Sequence, residues 1–242
     1  MATWVTHLMI ADSVLARFPE IDRRGFCVGS IAPDCNVENE DWTQFVPSRE
    51  VTHWMSADRK VAADCSRFYE ACIANRKPVL SSGQELSFLL GYYAHLIADA
   101  EFQRYIRDPE RVAAAWKRIK SYPVLSRQAA GLPETWDGIK KLIPKNERMG
   151  DIHTIEAEYL EAHPDSGYLT EIMNLKKFPD YIDYLPRGAI VRKIGVMGYL
   201  PGKNLGAYPF MAMSREEYDT FLDTASKLVM QGVSQSHKQA YP

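Results

Sequence analysis

His95 and Asp99 stand four residues apart in the run Leu86-Ser-Phe-Leu-Leu-Gly-Tyr-Tyr-Ala-His-Leu-Ile-Ala-Asp99. That run is apolar on nearly every side, which predicts a buried helix. The spacing puts both side chains on one face, one turn apart. An imidazole and a carboxylate buried without partners would cost several kcal/mol. They either hydrogen-bond each other within the core or share a divalent metal, which suits both groups. Other residues could join such a site: His7, Asp34 after Pro33, His53, and the pair His153 and Glu156, three residues apart. Each has a plainer reading. His7 reads also as a core histidine, Asp34 as a turn former, and His153 with Glu156 as a solvated helix face. Imidazole and carboxylate donors without cysteine fit a catalytic zinc site better than a closed structural one.

The elements that must position these groups are helical. A first helix is predicted over about Thr6 to Phe18, with His7 on the stripe of Ala11, Val14, Leu15 and Phe18. Pro33 disfavours helix at Ala32 and puts Asp34 on a loop. Ser56 reads as an N-cap for a helix carrying Val61, Cys65, Phe68 and Cys72, which places His53 just before a helix start. The central helix opens with the capping box Ser82-Gly-Gln-Glu85 and runs to about Tyr105. Asp108-Pro109 opens another, Thr135 to Ile143 forms a shorter one, and Gly150 starts the helix of His153 and Glu156. Residues 176–210 are rich in Pro, Gly and Tyr with weak helical periodicity, and read as a long irregular segment whose Tyr181 to Tyr208 stretch is a candidate lid or substrate wall. A second capping box, Ser214-Arg-Glu-Glu217, opens the last helix. No alternating strand stands out, so the expectation is an all-α fold: one helical domain over residues 1–242 around a buried central helix.

Composition narrows the function classes. The chain has 242 residues, 46% hydrophobic and 25% charged, with a net charge of −2. That balance gives no support for nucleic-acid binding or a polybasic membrane patch. No run reaches the roughly 18 apolar residues of a membrane span. The N-terminus lacks the basic and apolar regions of a signal peptide. Cys27, Cys35, Cys65 and Cys72 lack CxxC spacing and fit ordinary reduced thiols. Cytoplasm is the default compartment.

Four strings, taken together and in order, go further: His7-Leu-Met-Ile-Ala, Gly29-Ser-Ile-Ala-Pro-Asp34, Thr52-His53-Trp and Gly91-Tyr-Tyr-Ala-His95-Leu-Ile-Ala-Asp99. This set resembles the zinc-dependent phospholipase C family, whose fold is shared with S1/P1-type nucleases. The resemblance covers about the first hundred residues. It implies that Asp99 bridges two zinc ions, one also held by Asp34, His53 and His95, the other by His7. The secreted family members complete the second set from a processed N-terminal Trp. Here Trp4 lies near His7 but is not terminal, so that set is short of ligands. For a third ion, the position six residues after Asp99 is Tyr105 rather than His, and His153 with Glu156 would be one residue closer than the family spacing. One to two zinc ions are therefore expected. The implied activity is hydrolysis of a phosphoric ester, such as a phospholipid head-group bond, with Asp34 as combined ligand and proton acceptor. The alternatives are a nuclease of the related type, which the acidic balance disfavours, and a non-catalytic protein with a structural zinc.

Overall fold

The longest apolar helix, α5 (Gly83–Tyr105), begins where the Ser82 hydroxyl accepts the Glu85 N–H at 3.2 Å and forms the axis of the molecule. A computed structural model describes residues 2–58, 61–76, 80 and 82–238 of the chain. Three helices pack around α5: α1 (Trp4–Arg17), α2 (Arg23–Gly29) and α11 (Arg215–Lys238). Each start has a local cause. Thr3 caps α1 by accepting the Thr6 N–H, and Asp22 caps α2 through the Gly25 N–H at 2.6 Å. At α11, Ser214 and Glu217 satisfy each other's backbone N–H groups at 3.1 and 2.9 Å, the reciprocal capping box that the sequence predicts.

The tightest contact is α2 on α5. A Cβ added at Gly29 would lie 2.0 Å from the Phe88 carbonyl oxygen, and one at Gly91 would lie 2.1 Å from that of Phe26. The two backbones touch there because neither glycine has a side chain. These glycines open two of the four strings, and their close approach carries the Ser30 carbonyl to His95.

The remaining elements are shorter. A 3-10 turn (Ala32–Asp34) follows α2. Two-residue strands β1 (Val37–Glu38) and β2 (Phe45–Val46) pair antiparallel, and α3 spans Arg49–Thr52. Next come α4 (Cys65–Phe68), which runs on as a π-helical turn to Ala74, then after α5 the helices α6 (Pro109–Ser121), α7 (Pro123–Gln128), α8 (Trp136–Leu142), α9 (Lys145–Ala162) and α10 (Ala189–Met197). Among the described residues helix dominates and the one sheet is a short hairpin, so the all-α expectation holds. A main apolar cluster surrounds α5, and a smaller one around Trp116, Ile119 and Ile139 meets it at Trp136. Among the described residues no helix is long and apolar enough to cross a membrane.

Several boundaries differ from the sequence expectation. His53 closes α3 as its C-cap rather than preceding a helix, because Ser48 and Pro47 start a short helix upstream. The next helix starts at Cys65, capped by Asp64. Ser56 instead bonds the Asp58 carbonyl, and residues 59–60 of the expected helix lie outside the described residues. α9 begins at Lys145, one residue past Pro144 and five before Gly150. The stretch 176–210 contains α10, whose buried Ala189, Ile190, Lys193 and Ile194 form a stripe too short to stand out among the flanking Pro and Gly. Gly188 opens it with φ +71°, a conformation that favours glycine.

Candidate metal centre

The strings converge beside the C-terminal half of α5. Helix α1 brings His7, the turn after α2 brings Asp34, the end of α3 brings His53, and α5 brings His95 and Asp99. Donor atoms of His7, His95 and Asp99 lie within 4.8 Å of one another, and so do those of Asp34, His53 and His95. His53 Nε2 is 3.2 Å from Asp34 Oδ1 and 3.3 Å from His95 Nε2. Asp99 faces both groups. Its Oδ1 is 3.6 Å from His7 Nε2, while its Oδ2 is 3.8 Å from His53 Nε2 and 3.9 Å from His95 Nε2.

Hydrogen bonding fixes which atoms point inward. His95 Nδ1 lies 2.9 Å from the Ser30 carbonyl, which can only accept, so Nδ1 carries the proton and Nε2 offers a lone pair. His53 Nδ1 is 2.9 Å from the Thr52 hydroxyl, which itself reaches the Arg49 carbonyl. Donation from Nδ1 to Thr52 leaves His53 Nε2 free too. The Thr52 carbonyl accepts from Tyr92, which stacks on Phe68 at 4.8 Å and braces this turn from behind. His7 is buried, stacks on His95 at 3.8 Å, and has no hydrogen-bond partner at either ring nitrogen. A ring of lone pairs and carboxylates aimed at one point repels itself unless a cation sits among them. The residues therefore fit a divalent metal.

Electrostatics agree. Burial and the neighbouring His7 hold the His95 imidazole down at about 3, so it stays neutral, as a metal ligand must be. Burial pushes Asp34 and Asp99 upward, but their histidine partners outweigh it and hold both carboxylates below the usual range. Beside Asp34 the contact with His53 leads, with Arg49 adding to it; beside Asp99 the contact with His7 leads.

Asp34 and His53 of the centre, with Arg49, line a cleft of about 870 Å³, while His7, His95 and Asp99 are buried. The cleft walls are aromatic, with Trp4, Trp42, Trp136 and Phe210, and its cations are Arg49, Lys140, Lys145, Arg148 and Lys193. Lys193, Met197, Tyr199 and Pro201 from the segment 176–210 line one wall. Tyr181 and Tyr184 point elsewhere, toward Gln84 and Trp54.

His153 and Glu156 line the same cleft but join neither donor group. The Glu156 carboxylate is spent on the start of α1, accepting from the Thr6 N–H at 3.0 Å, the Thr6 hydroxyl at 2.7 Å and the Thr3 hydroxyl. It positions the helix that carries His7. Tyr105, the residue in the position of the missing third-site histidine, packs against Phe221. Arg49 is the functional group that motif reading overlooks: it donates to Asp99 Oδ2 at 3.1 Å and lies 3.9 Å from Asp34 Oδ1. Its only sequence signal is the four-residue spacing to His53.

Burial lifts the Glu156 carboxyl from 4.5 to about 7, against the lowering effect of the Thr6 bonds. A carboxyl raised on folding stabilises fully below its unfolded value and loses that stability as pH climbs through the folded one. Wild-type stability should therefore fall by on the order of 2–3 kcal/mol between pH 4.5 and 8 relative to Glu156→Gln. Urea denaturation of both proteins at several pH values measures this, and a pH-independent gap would contradict it.

Residues 6–101 match the family model described as zinc dependent phospholipase C. Over that stretch the chain is similar to the zinc-dependent phospholipase C family, in line with its four strings. No curated protein and no solved structure gives a significant match. The family match and the two donor groups support metal-dependent, phospholipase-like chemistry.

Proposed function

We propose that the chain is a zinc-dependent hydrolase of phosphoric esters. The observation that carries this reading is the convergence of three imidazoles and two carboxylates beside an aromatic cleft, with Nε2 of both His53 and His95 free to accept. Asp34, His53, His95 and Asp99 would hold one ion, and His7 with Asp99 a second position. When bound, zinc supplies the Lewis acidity that lowers the pKa of water to about 7.

The chain's own groups do the rest. Asp34 lines the cleft and stays ionised, which suits an oxygen that accepts a proton from attacking water. Ser30 and Thr52 hold His95 and His53 in the tautomers that leave Nε2 unprotonated. The aromatic walls exclude water and receive the apolar part of an ester, while Lys140, Lys145 and Arg148 favour entry of an anion despite the net charge of −2. A phospholipid head group, apolar on one side of a phosphate, fits these walls.

Elemental analysis of the purified protein, followed by assay against phosphomonoesters, phosphodiesters, short-chain phospholipids and single-stranded oligonucleotides, tests the reading. Zinc content above one per chain with ester hydrolysis supports it. Hydrolysis of oligonucleotides alone would favour a nuclease, and one tightly held zinc with no hydrolysis would favour a structural role. His7→Ala should lower zinc content toward one per chain while leaving the first ion in place. An unchanged content and affinity would make His7 a plain core histidine.

A further inference from the structure

We infer that Arg49 is the anion-binding residue of this site, its guanidinium receiving the non-bridging oxygens of a phosphoryl group. The inference rests on the phosphoric-ester reading above. Arg49 opens α3 one turn before His53, whose N–H donates to the Arg49 carbonyl at 2.8 Å. The two side chains share a face, and both line the cleft. The guanidinium reaches the centre itself, with one nitrogen on Asp99 Oδ2 at 3.1 Å and the other 3.9 Å from Asp34 Oδ1.

Three other cations of the cleft, Lys193, Lys140 and Arg148, are engaged away from the centre. Lys193 pairs with Glu38 at 2.5 Å, Lys140 with Asp137 at 2.6 Å, and Arg148 donates to the Ile143 carbonyl beside the Trp136 ring. Arg49 has no lone pair to give a metal. Its positive charge among metal donors lowers their affinity for a cation, so holding a metal does not explain it. Charge balance does offer an explanation. Asp34 and Asp99 with Arg49 leave one negative charge, and a single divalent cation reverses that sign. The guanidinium then competes with the cation for the same carboxylate oxygens and gains from an anion placed between them. A planar fork with two parallel N–H groups matches two phosphate oxygens, which an ammonium cannot do.

The test uses the zinc-loaded full chain as wild type, Arg49→Met and Arg49→Lys. Zinc content is read by elemental analysis, inorganic phosphate binding by calorimetry, and KM and kcat on any ester the wild type hydrolyses. In Arg49→Met, zinc content should hold or rise while phosphate affinity falls about tenfold or more. Arg49→Lys should recover only part of that loss. Where an ester is turned over, the phosphate inhibition constant should rise in parallel. Unchanged phosphate affinity with zinc intact overturns the inference, as does a wild type that binds no phosphate. Loss of zinc in Arg49→Met also overturns it, because Arg49 would then be holding Asp34 and Asp99 in place. If Arg49→Met does not fold, the Arg49→Lys comparison decides on the same readouts. Phosphate binding that depends on Arg49 without hydrolysis of any ester would sink the hydrolase reading and leave the anion site standing.

Discussion

Asp99→Asn is expected to abolish ester hydrolysis and to weaken metal binding by more than the 10–100-fold typical of losing an outer-shell partner. Asp99 has one oxygen toward each donor group, at 3.6 Å from His7 and at 3.8 and 3.9 Å from His53 and His95. An amide keeps the shape but replaces one of those oxygens with an N–H₂ group that cannot bind a cation, and it removes the charge. The carboxyl is held well below its ordinary range by its contact with His7 despite its burial, so the site is built around the ionised form. The fold should survive. Asparagine can still accept the Ala2 N–H, which sits 3.1 Å from Oδ1, and Arg49 retains Asp34 at 3.9 Å. The stability loss should therefore be about 1–2 kcal/mol, less than for breaking a fully buried ion pair. Elemental analysis after dialysis, ester assay and a thermal melt followed by circular dichroism check the three parts. Full metal content with full activity in Asp99→Asn would rule out the bridging role.

Gly91→Ala is expected to have the largest effect on stability, with Gly29→Ala close behind. The added Cβ would meet the Phe26 carbonyl oxygen at 2.1 Å in the first case and that of Phe88 at 2.0 Å in the second. Both obstacles are backbone, so no side chain can swing away and α2 must move off α5. Overpacking costs about 1–3 kcal/mol where side chains give way, and these sites should lie at or above that upper end. For a chain of this size the melting temperature should fall by roughly 6–12 °C or more. Metal affinity should fall with it, since the same contact sets the 2.9 Å bond from His95 Nδ1 to Ser30. Gly195→Ala is the control. It lies inside α10 with nothing within 4 Å of the new methyl group, so it should stabilise, by up to about 1 kcal/mol. Melts of the three variants decide the matter, and equal stability of Gly91→Ala and wild type would mean that α2 and α5 do not touch at this point.

The sequence by itself determined the helices whose signals are local. Ser82 with the apolar run to Phe102 defined α5, Asp108-Pro109 defined α6, and the box Ser214 to Glu217 defined α11, because caps and periodicity act over a few residues. It also named the five residues that meet at the centre, through strings whose order carries more information than any one of them. Tertiary structure decided the rest. Residues as far apart as His7 and Asp99 meet only because two glycines let α2 and α5 touch and α1 packs beside them, contacts that no local window contains. Spacing made His153 and Glu156 look like a ligand pair, yet packing gave Glu156 to the N–H groups that open α1. No motif singles out Arg49, and only the short helix α3 turns it onto Asp34 and Asp99. A side chain's type and spacing state what it can bind, and the packing of distant helices decides which partner comes within reach.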